Sequence, residues 1–138
     1  LSTVNGYIER LAADPNAYPP EVLPKIRWRI ATTGESLRRA VPAGVRIAFG
    51  TDAGVSKHGR NADEFALMVQ NGMTPMSAIH AATVNAAELL GLSNEIGTLE
   101  PGKRADIIAV DGDPLTHVGV LTTMGFVMRD GRVYRDDR

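Results

Sequence analysis

The stretch that most limits what this chain can fold into is Val45-Arg46-Ile47-Ala48-Phe49-Gly50-Thr51-Asp52-Ala53-Gly54. Mostly apolar residues run into Gly50, a polar pair follows, and a second glycine closes the stretch. A continuous apolar run bounded by glycine reads as a strand buried on both faces. Asp52 falls where that strand should end, among small residues that let other groups come close. In barrels of parallel strands the carboxyl ends of the strands carry the chemistry. A carboxylate there can act as a metal ligand, a general base, or both. Spacing alone leaves a second reading open, in which Asp52 only caps a turn, as aspartate commonly does.

Three motifs carry a family resemblance. Phe49-Gly50-Thr51-Asp52-Ala53-Gly54, followed by Asn61-Ala62-Asp63-Glu64-Phe65, resembles the last barrel strand and following loop of the metal-dependent amidohydrolase superfamily. Ala81-Ala82-Thr83-Val84-Asn85-Ala86-Ala87-Glu88-Leu89-Leu90-Gly91 is similar to its next helix. Gly97-Thr98-Leu99-Glu100-Pro101-Gly102-Lys103-Arg104-Ala105-Asp106-Ile107-Ile108 is similar to the strand pair that closes such chains. The motifs stand in the right order and spacing, and the resemblance covers residues 45–134 and, more loosely, the helix before them. Within the superfamily it points to the imidazolonepropionase-like and Xaa-Pro dipeptidase-like branch. The resemblance implies an α/β fold: the C-terminal part of a (β/α)8 TIM-like barrel over residues 1–92, then a small β-sandwich-type tail over residues 93–138.

At 138 residues the chain could form one ordinary domain. A whole eight-stranded α/β barrel needs roughly 200 residues or more. The expectation is therefore a piece, the end of a barrel plus a tail, and a start at Leu1 agrees with it. Apolar content of 43% and charged content of 22% are ordinary for a globular protein. A net charge of −1 gives no electrostatic case for nucleic acid or an anionic membrane as partner. No apolar run approaches the length of a membrane span. The absence of cysteine excludes disulfides and thiolate metal sites within the chain. No signal peptide is in view, which says nothing about secretion in a piece that lacks its start; the expected compartment is the cytoplasm.

In chain order, residues 1–6 read as weakly extended and residues 7–13 as one or two helical turns, stopped at Asp14-Pro15. A longer helix is predicted over residues 20–40, with Leu23, Ile26, Ile30, Leu37 and Val41 as its apolar stripe. Lys25, Arg27, Arg29, Arg38 and Arg39 read as its solvated face, and Trp28 as packing against the barrel wall. Asn61 and Glu64 have capping-box spacing ahead of a helix that turns Phe65, Met68 and Val69 to one side. Thr74-Pro75 starts a further helix with Met76, Ile79, Thr83, Ala86 and Leu90 at helical spacing. Residues 96–99 and 105–110 read as strands around a Pro-Gly turn, the second of them buried. One or two strands follow over residues 118–127, and Asp130-Gly131 reads as a hairpin turn. His80 and His117 read as structural or surface residues.

Hydrolysis of an amide needs a Lewis acid, an activated water and a proton shuttle. The resemblance assigns Asp52 both roles open to a carboxylate, metal ligand and catalytic shuttle. His58, in the loop after Asp52, is a weaker candidate for binding a substrate carboxylate or polarising a carbonyl. The implied cofactor is a divalent metal, zinc by expectation, as one or two ions with most ligands outside this chain. His58, His80 and His117 form neither a His-x-His pair nor a His-Glu-x-x-His helix. The 138-residue chain alone is therefore expected to be inactive. The implied partners are a small amide or dipeptide substrate and either a missing N-terminal barrel portion or a second copy of the chain. Cleavage before proline is the favoured reaction, with cyclic amides next. Two alternatives stand beside it: a non-catalytic amidohydrolase-like scaffold, and a standalone α/β binding module.

Overall fold

The computed structural model describes residues 1–54 and 57–137. Helix α1 (Thr3–Ala13) occupies the start, where an extended segment and a shorter helix were expected. It stops at Asp14, whose extended φ of −147° and ψ of 108° suit a residue before proline. The single helix expected over residues 20–40 is two, α2 (Leu23–Thr32) and α3 (Glu35–Ala40). Between them Gly34 takes a left-handed φ of 87°, which breaks the helical path. The Thr32 and Thr33 hydroxyls donate to the carbonyls of Trp28 and Arg29, at 2.9 and 2.6 Å. Trp28 is 64% exposed and does not pack inward. Only Ile26 of α2 is buried, and two residues further on the helix has turned by about 200°.

Helix α4 (Asp63–Gln70) buries Met68, with Phe65 and Val69 beside it, as the pattern predicts. Helix α5 (Pro75–Ala82) opens with Thr74 as cap, its hydroxyl accepting from the Ser77 N–H at 3.1 Å. Its buried residues are Ala78 and Ala81, not the expected Met76 and Ile79 stripe. That stripe assumed an unbroken helix. Thr83, with φ −122° and ψ −88°, interrupts it, and α6 (Val84–Leu89) begins anew with Ala87 buried. The core joins Met68, Met73, Ala78 and Ala81, with Leu37, Val41, Ile47, Phe49, Phe65 and Val69 packed on it. Two fully buried alanines leave α5 close enough for the backbone of residues 45–50 to lie against it.

The tail carries three antiparallel strands in the order β1 (Ile107–Ala109), β2 (Phe126–Arg129), β3 (Arg132–Asp136). Ile108 faces Val127 and Val127 faces Arg135. The hairpin at Asp130-Gly131 forms as expected, with φ of 48° and 76°, the twisted turn that suits antiparallel strands. The strand expected over residues 96–99 does not form. The Ile96 N–H turns back to the Leu92 carbonyl at 3.0 Å, and Gly97 takes a φ of 98°. Of the strands expected over residues 118–127, the first part is instead a 3-10 helix, Val118–Thr122. The strand at residues 107–109 is not buried; Ile108 is 53% exposed. No helix among the described residues is long and apolar enough to cross a membrane.

Candidate functional site

Residues 45–50 were expected to form a buried strand. They run without strand pairing, because a strand is defined by bonds to a neighbour, and no other strand lies alongside among the described residues. Helices hold the segment instead. Phe49 donates its N–H to the Ala81 carbonyl at 2.9 Å. That carbonyl sits in the last turn of α5, where carbonyls lack intrahelical partners. Asn85 Nδ2 donates to the Ile47 carbonyl at 2.9 Å. The Phe49 and Phe65 rings pack with centroids 4.7 Å apart. Arg46 makes a two-pronged ion pair with Glu88 of α6, and its hydrogen bonds hold the Glu88 carboxyl below the usual carboxylate range. Side chains and backbone thus fix the line along which residues 45–50 deliver Asp52.

Asp52 lies exposed just past this segment with a φ of 50°. A non-glycine residue is uncommon there, though aspartate is among those that enter it. The Thr51 hydroxyl donates to Asn61 Oδ1 at 3.1 Å. His58 is exposed. Among the described residues no group of three His, Cys, Asp or Glu side chains could hold a metal ion, so Asp52 and His58 are not gathered into one. A carboxylate oxygen with open access fits one position in the coordination of a divalent ion. A complete zinc site takes three protein ligands and a water.

The expected capping box at Asn61 and Glu64 is absent: α4 is preceded by Ala62 and has no side-chain cap. Asn61 is engaged with Thr51. Glu64 is 4% exposed and points across the fold, accepting from the Ser2 N–H at 2.5 Å and the Leu1 nitrogen at 2.7 Å. Two chain neighbours of this region are tied down as well. Arg60 donates from Nε to Asp63 Oδ2 at 2.8 Å and also pairs with Glu9 of α1. Sequence reasoning missed these roles because the Glu64 and Arg60–Glu9 contacts span more than 50 residues, and no local pattern marks them. His80 and His117 are exposed, as expected.

Comparison with known proteins adds to this geometry. The model of the amidohydrolase family matches residues 4–135. An imidazolonepropionase from Geobacillus kaustophilus (strain HTA426) is 34% identical over 63% of this chain and 21% of its own length. Adenine deaminase 4 from Rhizobium meliloti (strain 1021) is 30% identical over 94% of this chain and 25% of its own. Among solved structures, a Xaa-Pro dipeptidase with methionine bound in its active site superposes with a TM-score of 0.88 and 40% identity, over 98% of this chain and 34% of that one. The chain thus spans about a quarter or less of these curated relatives and about a third of the dipeptidase.

Proposed function

This chain belongs to the amidohydrolase family, whose structural neighbours imply a fold containing a TIM barrel, and from that premise we propose that it is the C-terminal portion of a metal-dependent hydrolase of amide or peptide C–N bonds. An Xaa-Pro dipeptide is the favoured substrate. The observation that carries the reading is Asp52: a carboxylate at the end of an apolar segment fixed on two helices, in a chain that superposes on a Xaa-Pro dipeptidase over 98% of its length. Residues 1–92 would complete the barrel. Residues 93–138 would supply part of a β-sandwich-type domain, a reading supported by the exposed Ile108, Val133 and Tyr134 on a sheet of three strands.

Asp52 would hold a divalent ion, zinc by preference, together with ligands from outside this chain, and would carry the proton from water to the leaving amine. When bound, the ion supplies Lewis acidity at the scissile carbonyl and a water activated near neutral pH. His58 would meet the substrate carboxylate. The test is hydrolysis by the whole protein of a panel of Xaa-Pro dipeptides, other dipeptides and cyclic amides, before and after chelator treatment. Turnover of Xaa-Pro substrates, lost on chelation and restored by zinc, is expected. No turnover of any C–N substrate in the metal-loaded protein would favour a non-catalytic scaffold.

A further inference from the structure

Two non-glycine residues among those described have a positive φ, Asp52 and Asp130. Asp130 is explained by its hairpin: its N–H is taken by Asp106 Oδ1 at 2.8 Å, and the Gly131 N–H by the Ala105 carbonyl at 3.1 Å. Among the described residues no hairpin accounts for Asp52. A residue keeps so sparsely populated a conformation only where its surroundings impose it. On the N-terminal side the helices hold the backbone as far as Phe49. Beyond that point, the Thr51 hydroxyl reaches across nine intervening residues to Asn61. Asn61 in turn leads into α4, which is anchored to the start of the chain through Glu64 and Ser2, while Arg60 next to it is bound to α1. The residue immediately before Asp52 is therefore tied to a segment that is itself linked to α1 and to Ser2.

We propose that the Thr51–Asn61 hydrogen bond is a positioning clasp for the Asp52 carboxylate. It acts through the backbone: with the Thr51 side chain held to Asn61, the peptide unit leading into Asp52 keeps its orientation, and with it the direction from which the carboxylate is presented. The carboxylate is thereby set before an ion or substrate arrives, which removes an ordering cost from binding. Thr51 and Asn61 are positioning residues under this account. The inference rests on Asp52 being a metal ligand, as proposed above.

The bond lies at the surface, where a hydrogen bond contributes little to global stability. Its loss should therefore show in metal retention rather than in the unfolding midpoint. The experiment measures zinc dissociation constants by chelator competition in the whole protein, for Thr51→Val, Asn61→Ala, their double variant, Thr51→Ser and Asp52→Ala. Each of the first two is expected to weaken zinc binding by about tenfold or more, the range seen when groups that orient a ligand are removed. The double variant should lose no more than either single one, since both cut the same bond. Thr51→Ser keeps the hydroxyl and should bind zinc like the parent. Parent-like binding by Thr51→Val and Asn61→Ala, with loss in Asp52→Ala, overturns the clasp and leaves the ligand assignment standing. Parent-like binding by Asp52→Ala overturns that assignment and the clasp together. If a variant's unfolding midpoint falls, the comparison of Thr51→Ser with Thr51→Val decides: equal binding by the two overturns the clasp.

Discussion

Asp52→Asn in the whole protein is expected to lower kcat by about a thousandfold, the middle of the range for losing a positioned general base and proton shuttle. The effect should fall on kcat more than on KM, because proton transfer operates in the transition state and not in the bound ground state. Asparagine is the informative choice. It keeps the size of the side chain and one oxygen, and it tolerates the φ of 50° observed at this position. Alanine would remove the oxygen as well, and would add about 1 kcal/mol of backbone strain. Asp52 is exposed, so neither variant opens a cavity, and at saturating metal the circular dichroism melt of the asparagine variant should match the parent closely. The measurement is steady-state hydrolysis of an Xaa-Pro dipeptide at saturating metal. A kcat within a few-fold of the parent would remove Asp52 from the chemistry.

Gly97→Ala is expected to destabilise the fold by about 2–4 kcal/mol, as the sum of left-handed backbone strain and overpacking. Gly97 has a φ of 98°, and a methyl group there would sit 2.7 Å from Ala87 Cβ and 3.2 Å from the Thr83 carbonyl oxygen. Neither neighbour can give way cheaply. Ala87 is buried in α6, and Thr83 is the junction of α5 and α6, with its hydroxyl donated to the Ile79 carbonyl at 2.8 Å. Gly91 provides the control: its φ is 70°, yet nothing lies within 4 Å of an added Cβ. Gly91→Ala should therefore cost only about 1 kcal/mol, the strain alone. Urea denaturation of both variants separates the two contributions, and equal midpoints would show that the close approach at Gly97 has no energetic consequence.

The parts of the fold that local chemistry dictates were legible in the residues. Thr74-Pro75 starts a helix because a hydroxyl and a ring with fixed φ satisfy its first turn. Asp130-Gly131 turns a hairpin because both residues enter positive φ readily. Gly72 ends α4 for a related reason, taking a φ of 104° just after Asn71. What was illegible depends on partners distant in sequence. Residues 45–50 have the composition of a buried strand, but strand pairing belongs to the neighbour as much as to the segment. The break at Thr83 cannot be read from a run of alanines with high helix propensity. The Asn61 and Glu64 spacing fits a capping box, yet each side chain found a tertiary partner, Thr51 in one case and the Ser2 N–H in the other. At the candidate site Asp52 stood out from its place after the apolar run. Its left-handed backbone and the bond from Thr51 to Asn61 had no sequence signal.

The central claim is that Asp52 is one ligand of a metal site whose other ligands lie outside these 138 residues. Metal content per polypeptide, measured by elemental analysis after gel filtration from zinc-containing buffer, tests it directly on the whole protein, its Asp52→Ala variant and the 138-residue segment. The account predicts stoichiometric zinc in the whole protein, marked loss in the variant, and none retained by the segment. Stoichiometric zinc on the segment alone, or undiminished zinc in the variant, would contradict it.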